Sequence, residues 1–212
     1  MSATETAPAF DTVVQAENDE LDDVLHVTDT LYTQILDRAV AARARTSRPE
    51  QDPALQRIAE SVIHAEARLL DMRSFDDWLN MLTRDCIYWV PASPDPVDPR
   101  TATSIHLDDR RRLRDRIALT KTGHLHAQTP PSRTCRVVTN VEVWRDEQDP
   151  EQIVVRSNLT TWTYRLNKLD THVGWQEHVL VPDPAGSGYL IRFKTLNLLD
   201  SDGPQGNITF IL

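Results

Sequence analysis

The sequence predicts an α+β fold in which a curved antiparallel sheet wraps around N-terminal helices, as a single domain over residues 24–212. Up to about residue 119, apolar residues recur every three or four positions, as in a helix. After Pro130 and Pro131 they alternate with polar residues, as in a strand. Helices followed by a run of strands are typical of α+β domains. A chain of 212 residues is long enough for one domain with a substantial core.

An acidic leader over residues 1–23 precedes this domain. The first 29 residues contain eight Asp or Glu side chains and no Lys or Arg, in a chain whose net charge is −9. The apolar side chains of the leader follow no clear period, so we interpret it as mostly disordered. A nucleic-acid-binding protein needs a basic surface, and this charge distribution argues against that class.

Four helices are predicted in the first part of the domain. Apolar residues recur there every three or four positions, and the second helix carries the longest apolar stripe. That helix begins at Asp52 and Pro53, a cap residue followed by proline, and Ser74 is the expected N-cap of a short third helix. The predicted bounds are about 24–45, 52–70, 74–82 and 108–119.

Strands are predicted on both sides of the fourth helix. Residues 86–90 are rich in strand formers and lead into a proline-rich loop. Four long strands with alternating polarity and a final short strand follow later in the chain. Their predicted bounds are 134–145, 153–166, 174–181, 189–199 and 207–212. In the first of them, alternation places Cys135, Val137, Val141 and Val143 on one face.

The composition excludes several classes of protein. No apolar run approaches the ~20 residues of a membrane span, and the first residues lack the basic and apolar regions of a signal peptide. Six glycines without a phosphate-binding motif argue against nucleotide chemistry. Cys86 and Cys135 are interpreted as reduced thiols of a cytoplasmic protein. Neither has a Cys or His at the spacing of iron–sulfur ligands, so we expect no cluster in this chain.

His124 and His126 form the pattern that most suggests a metal site. Side chains two positions apart on a strand point to the same face, where they could bind one ion. A third ligand would have to come from His106, Asp108 or Asp109. A polar loop is the simpler interpretation of the two histidines, and it is the one favoured.

An enzyme with this fold would hold a pocket between helices and sheet, where an Asp or Tyr beside a His would carry out acid–base chemistry. The candidates are Asp85, Tyr88, His106 and Asp108. They would make the chain a stand-alone dehydratase or isomerase that uses a His/Asp pair. Each candidate is explained equally well as a cap, a core aromatic or a loop residue, and both explanations stay open.

A series of motifs in a fixed order covers residues 55–212. Each motif is short, and their order carries the match. They are Glu66 to Asp71, Phe75, Trp78-Leu79, Leu82-Thr83, Asp85, Tyr88 to Pro91, Asp108-Asp109, Leu113 with Arg116, Thr122-Gly123, Pro130 to Thr134, Val138, Asn140-Val141, Ser157-Asn158, Lys194-Thr195 and Asn207 to Phe210. In this series the chain resembles the small, or beta, subunit of bacterial aromatic-ring-hydroxylating dioxygenases, the Rieske non-haem iron oxygenases.

The resemblance implies a nuclear-transport-factor-like, or cystatin-like, cone with no catalytic residue, cofactor or metal of its own. The implied partner is a large alpha subunit that carries a Rieske 2Fe-2S cluster and a mononuclear iron. Three alpha with three beta subunits, the beta subunits associated as a trimer, would oxidise an aromatic compound with electrons from a ferredoxin and a reductase. Subunit contacts are expected at Trp89, Arg133, Asn207 and Phe210. A scaffold for some other partner is a further hypothesis.

The acidic leader lies outside the region of resemblance, so we expect assembly not to depend on it. Deletion of residues 1–23 should leave the size of the purified complex unchanged in size-exclusion chromatography, because the near-neutral remainder of the chain would supply the contacts. Loss of the complex in that deletion would show that the leader belongs to the interface.

Overall fold

The computed structural model describes residues 28–212 except 123, 124, 147, 148, 187 and 207. The predicted acidic leader, residues 1–23, and the start of the first predicted helix lie outside the described residues. The helices are α1 Asp29–Ala44, α2 Pro53–Asp71, α3 Phe75–Asn80 and α4 Arg110–Lys121. The strands are β1 Leu82–Pro91, β2 Ser104–Asp109, β3 Arg133–Arg145, β4 Ile153–Arg165, β5 Lys168–Pro182 and β6 Tyr189–Leu198. None of these helices combines the length and the apolarity that crossing a bilayer requires.

Side-chain caps fix the first residue of three helices. Thr28 caps α1, Asp52 caps α2 through a bond of 2.8 Å from the Ala54 amide, and Asp109 caps α4. Each cap residue has an extended backbone while its side-chain oxygen accepts from the first turn. The first and fourth helices therefore begin later than the apolar spacing predicts.

The strands form one six-stranded curved sheet in the order β2-β1-β6-β5-β4-β3. The predicted α+β class is confirmed, but the sheet is not wholly antiparallel, because β1 and β6 run parallel to each other. The other four neighbouring pairs are antiparallel. Alternation of side chains fixes which residues of a strand share a face, and it carries no information about the direction of the neighbouring strand.

Helices cover both faces of the sheet. The buried stripe of α2 packs on the inner, concave face in the main core cluster. α1 lies on the outer face instead, where Ile35 packs against Ile87, Trp89, Val179 and Phe193. The expectation that all N-terminal helices lie inside the sheet is therefore wrong for α1. Burial on both faces explains why β1 is a continuous apolar run rather than an alternating one.

A bulge in β3 corrects the predicted faces of that strand. The register with β4 shifts between Thr139 and Glu142, and Asn140 has a φ of 52°. A bulge adds one residue to the strand. Odd-numbered residues before the bulge therefore point to the opposite face of the sheet from odd-numbered residues after it. Cys135 and Val137 consequently lie exposed on the outer face, whereas the equivalent positions after the bulge, Val141 and Val143, face the core. The prediction that all four share one face is wrong.

Three further segments differ from their predicted structure. Leu82, expected in the third helix, is the first residue of β1, and Asp108 and Asp109, expected at the start of the fourth helix, are the last residues of β2. Residues 208–212, expected as a strand, are mostly buried without being one. An apolar run is compatible with any buried conformation, so its composition alone does not specify a strand.

The positive φ of Asn140 makes the bulge sensitive to the residue at this position. Asn140→Val should lower the free energy of unfolding by about 1–2 kcal/mol, because a β-branched side chain is disfavoured in the left-handed region. Asn140→Gly is the matched control and should stay close to the wild type, since glycine adopts this conformation without strain. Urea denaturation measures both. Equal stabilities of the two variants would contradict the assigned bulge.

Candidate functional site

The interior of the cone contains a cluster of three buried ionisable side chains: Glu66 of α2, His178 of β5 and Lys194 of β6. Oε2 of Glu66 is 2.8 Å from Nε2 of His178, and Oε1 is 3.1 Å from Nζ of Lys194. Trp78 of α3 donates to Oε1 at 3.2 Å. His178 and Lys194 face each other in the β5–β6 register, so their side chains stand together on the inner face. One carboxylate thus joins two helices to two strands.

Burial and ion pairing act in opposite directions on Glu66. Burial by itself raises the pKa of this carboxyl, but Lys194 and His178 outweigh burial and hold the pKa well below its ordinary value. Burial lowers the pKa of His178, and it also lowers the pKa of Lys194, while Glu66 opposes both shifts. We therefore assign Glu66 and Lys194 as the ion pair and His178 as a neutral hydrogen-bond donor to Glu66.

Residues 208–212 close the mouth of the cone. Side chains of the cone bind their carbonyl oxygens, which satisfies backbone groups that have no strand partner. The donors are His106 to Ile208 at 3.2 Å, Arg136 to Ile211, and Tyr88 and Lys194 to Leu212 at 3.1 and 3.4 Å. The cavity that remains beside Glu66 measures about 10 Å³. It has room for about one water molecule and none for a substrate.

The structure brings three of the four predicted pocket residues together. The rings of Tyr88 and His106 are 6.1 Å apart, and Nδ1 of His106 is 4.0 Å from Oδ2 of Asp108. Asp85 does not join them, because it is paired with an arginine of β6 at 2.8 Å, partly exposed. Burial, assisted by Arg116, lowers the pKa of His106 to about 4. The ring is therefore neutral at pH 7 and serves to bind the 208–212 segment.

No sequence pattern identifies Glu66, His178 and Lys194 as a group. One signal was present: Glu66 falls in line with Ile63 and Leu70 on the apolar stripe of α2. A charged residue in such a stripe indicates a buried partner. The sequence does not predict which residue is the partner, because His178 lies 112 positions away in the chain.

The predicted metal pattern is not tested by the structure. His124, and the side chain of His126, lie outside the described part of the chain. Of the suggested third ligands, His106 and Asp108 are engaged with the 208–212 segment and an arginine of α4, and Asp109 caps α4. Within the described residues, no three His, Cys, Asp or Glu side chains are grouped as metal ligands would be.

The four predicted subunit contacts lie in different surroundings. Trp89 is 1% exposed beneath α1, and Phe210 is buried in the mouth of the cone. Burial makes both of them core residues of this chain rather than surface contacts. Asn207 lies outside the described residues. Arg133 is at the surface of β3, with its guanidinium 4.7 Å from the centre of the Tyr164 ring.

Beside Arg133, the outer face of the sheet exposes a group of apolar side chains that we call the outer patch. They come from the outward positions of three adjacent strands, which the register places next to one another. The outer patch consists of Val137, Trp162, Tyr164, Leu169 and Val173, each at least 37% exposed. α1 covers the other part of the same face. The outer patch is therefore the part of this face whose apolar side chains α1 leaves uncovered.

The chain is similar in sequence and in fold to small subunits of dioxygenases. Residues 65–202 match the family model described as ring hydroxylating beta subunit. The small subunit of 2-halobenzoate 1,2-dioxygenase from Burkholderia cepacia is 35% identical over 133 residues, which cover 60% of this chain and 79% of that relative. The small oxygenase component of the p-cumate 2,3-dioxygenase system from Pseudomonas putida is 30% identical over 155 residues, covering 72% and 84%.

Two solved structures show the same fold. The beta subunit of benzoate 1,2-dioxygenase from Burkholderia mallei superposes with a TM-score of 0.57 and 27% identity, covering 72% of this chain and 94% of that one. A chain of naphthalene 1,2-dioxygenase gives a TM-score of 0.67 at 21% identity, covering 92% and 98%. The cone fold that the resemblance implies is thereby confirmed.

Glu66→Gln should lower the free energy of unfolding by about 3–5 kcal/mol at pH 7, because Lys194 would stay buried without its charged partner. Since the pKa of Glu66 is lower in the folded chain than in the unfolded chain, its contribution is present above about pH 5 and is lost as the pH falls. Urea denaturation between about pH 5 and pH 2 should therefore show a smaller loss of stability in the variant than in the wild type.

The exposed Glu142 offers a control with the same chemical change. Glu142→Gln should shift the free energy of unfolding by less than about 0.5 kcal/mol, as surface substitutions usually do. If the Glu66 and Glu142 variants were equally stable at pH 7, the interior cluster would not be the contact described above.

Proposed function

The chain belongs to the family of ring-hydroxylating dioxygenase beta subunits, and on this premise we propose that it is the structural subunit of such an enzyme. It is part of an oxidoreductase complex. We propose that the chain holds the catalytic subunits in position for the oxidation of an aromatic compound and supplies no catalytic residue itself.

The proposed partner is a large alpha subunit that carries the Rieske 2Fe-2S cluster and the mononuclear iron. The proposed assembly has three alpha subunits and three copies of this chain, which associate as a trimer, and a ferredoxin and a reductase deliver its electrons. Family membership is the support for these assignments. Cys86 and Cys135 are free thiols, which supports a cytoplasmic location.

The outer patch is the observation that carries the proposal. Contiguous exposed apolar side chains on one face are typical of protein–protein contacts, and aromatic residues are enriched there. Trp162 and Tyr164 supply two such aromatic side chains at the centre of the outer patch, and Arg133 adds a cation at its rim. We propose that another subunit of the complex covers this surface.

The rival function, a stand-alone dehydratase or isomerase, rests on a different observation. Glu66 and His178 form a carboxylate–imidazole pair at 2.8 Å in the cone interior, which is a geometry suited to proton transfer. A substrate would have to reach that pair, but Phe210 and Leu212 are buried in the same core and the cavity beside Glu66 measures only about 10 Å³. We therefore propose a structural role for the pair.

Polar substitutions in the outer patch test the proposal. The double variant Trp162→Gln and Leu169→Gln should weaken association with the large subunit at least about tenfold, because it removes apolar area from the centre of the contact. The measurement is co-purification of a tagged chain expressed together with the large subunit, followed by analytical ultracentrifugation. Thermal unfolding of the chain alone should stay within about 4 °C of the wild type, since these side chains lie on its surface.

Val40 and Leu119 provide a matched control, because they are about as exposed as the outer patch residues and lie on helices away from it. The double variant Val40→Gln and Leu119→Gln should assemble as the wild type does. An outer patch variant that still forms a complex of wild-type size and affinity would refute the proposed contact.

A further inference from the structure

A cleft beside the 208–212 segment plays no part in the proposed function. It lies between the end of α2, the helix α4 and that segment, and its volume is about 20 Å³. Three arginines line it: Arg73, Arg116 and Arg136. Among the described residues of the lining there is no Asp or Glu. A cleft with this lining favours a negatively charged group, and its volume limits that group to a small one.

Two of these arginines are paired with acids that do not line the cleft, and each keeps one unused nitrogen. Arg116 binds Asp108 through Nε and Nη2, and its Nη1 makes no hydrogen bond with the described residues. Arg136 binds Asp71 through Nη1 and the Ile211 carbonyl oxygen through Nη2. Nε of Arg136 has no partner in the described part of the chain, although this side chain is only 3% exposed. A buried N–H group without an acceptor is costly, so an acceptor at this place is expected.

Arg73 gives the cleft a positive charge in excess. Its guanidinium makes no ion pair with the described residues and lies 5.8 Å from the centre of the Phe75 ring, which also lines the cleft. Arg73 follows the C-terminus of α2 with a φ of 59°, a position at which glycine is preferred. The chain thus carries an arginine where the backbone favours glycine, and the side chain of that arginine reaches the cleft.

We propose that this cleft binds the carboxylate group of a small organic anion. A carboxylate carries one negative charge, which balances the excess at Arg73. Its two oxygens are acceptors for the unused nitrogens of Arg116 and Arg136, and guanidinium groups bind carboxylates in a planar geometry. Ser132 also lines the cleft, and its hydroxyl is a further donor.

A bound carboxylate would also stabilise the closed mouth of the cone. Thr209, Phe210 and Ile211 line the same cleft as the arginines of α4 and β3. The anion would therefore tie the 208–212 segment to the rest of the domain. This inference does not depend on the proposed function.

Formate, the smallest carboxylate, is the probe that tests the site in the full chain. In a titration that replaces chloride by formate at constant ionic strength, saturation-transfer NMR should detect binding with a Kd of about 1–10 mM. Formate at ten times this Kd should raise the thermal midpoint by about 3–5 °C. No saturable binding below about 100 mM formate would overturn the proposal.

Variants at Arg73 separate binding from folding. Arg73→Gln and Arg73→Gly should both weaken formate binding at least about tenfold, because both remove the charge in excess. Without formate, Arg73→Gly should raise the thermal midpoint by about 2–4 °C, since glycine relieves the positive φ. Arg68→Gln, an exposed arginine of α2 that does not line the cleft, is the matched control and should bind formate as the wild type does. Equal affinity of the wild type and Arg73→Gln would overturn the proposal.

Hydrogen exchange locates the bound anion. Saturating formate should slow exchange of the amides of residues 208–212 at least about threefold in the wild type and in Arg68→Gln, because the segment opens less often. In Arg73→Gln the same formate concentration should leave their exchange unchanged. Binding of formate with protection only in other segments would place the carboxylate elsewhere and would also overturn the proposal.

Discussion

The buried carboxylate of Glu66 is the contact on which the arrangement of helices and sheet depends. It binds His178 and Lys194 on two neighbouring strands and accepts from Trp78 of α3. Apolar packing alone would let α2 rotate or slide on the sheet, because it has no direction. A buried charge with three specific partners does not allow this, since losing any partner leaves an unsatisfied group in a low-dielectric interior.

The same cluster also determines what the cone interior can be. Lys194 and Tyr88 both donate to the carbonyl oxygen of Leu212, so the side chains that would line a pocket bind the 208–212 segment instead. The interior of the cone is therefore a packed core. The Glu66–His178 pair shows why residue types alone do not establish an activity: the geometry suits proton transfer, and access is closed.

The sheet also directs where partners can bind. The outer edge of β3 is occupied, because Asp71 accepts from the Arg136 amide at 2.8 Å and Gln56 donates to the Val141 carbonyl at 3.0 Å. A covered edge is not available for strand addition. The outer face beside this edge is covered in one part by α1, and its other part exposes the outer patch. The bulge at Asn140 contributes, because it turns the first half of β3 so that Val137 points outward.

The sequence by itself determined the α+β class, the helix start at Asp52, most strand positions and the family, because caps, alternation and motifs are local features. Only the tertiary structure decided the parallel pairing of β1 with β6, the placement of α1 on the outer face and the bulge at Asn140. It also decided the meeting of Glu66 with His178 and Lys194. The physical reason is that periodicity reports whether a residue is buried, whereas its partner is set by packing between segments far apart in the chain.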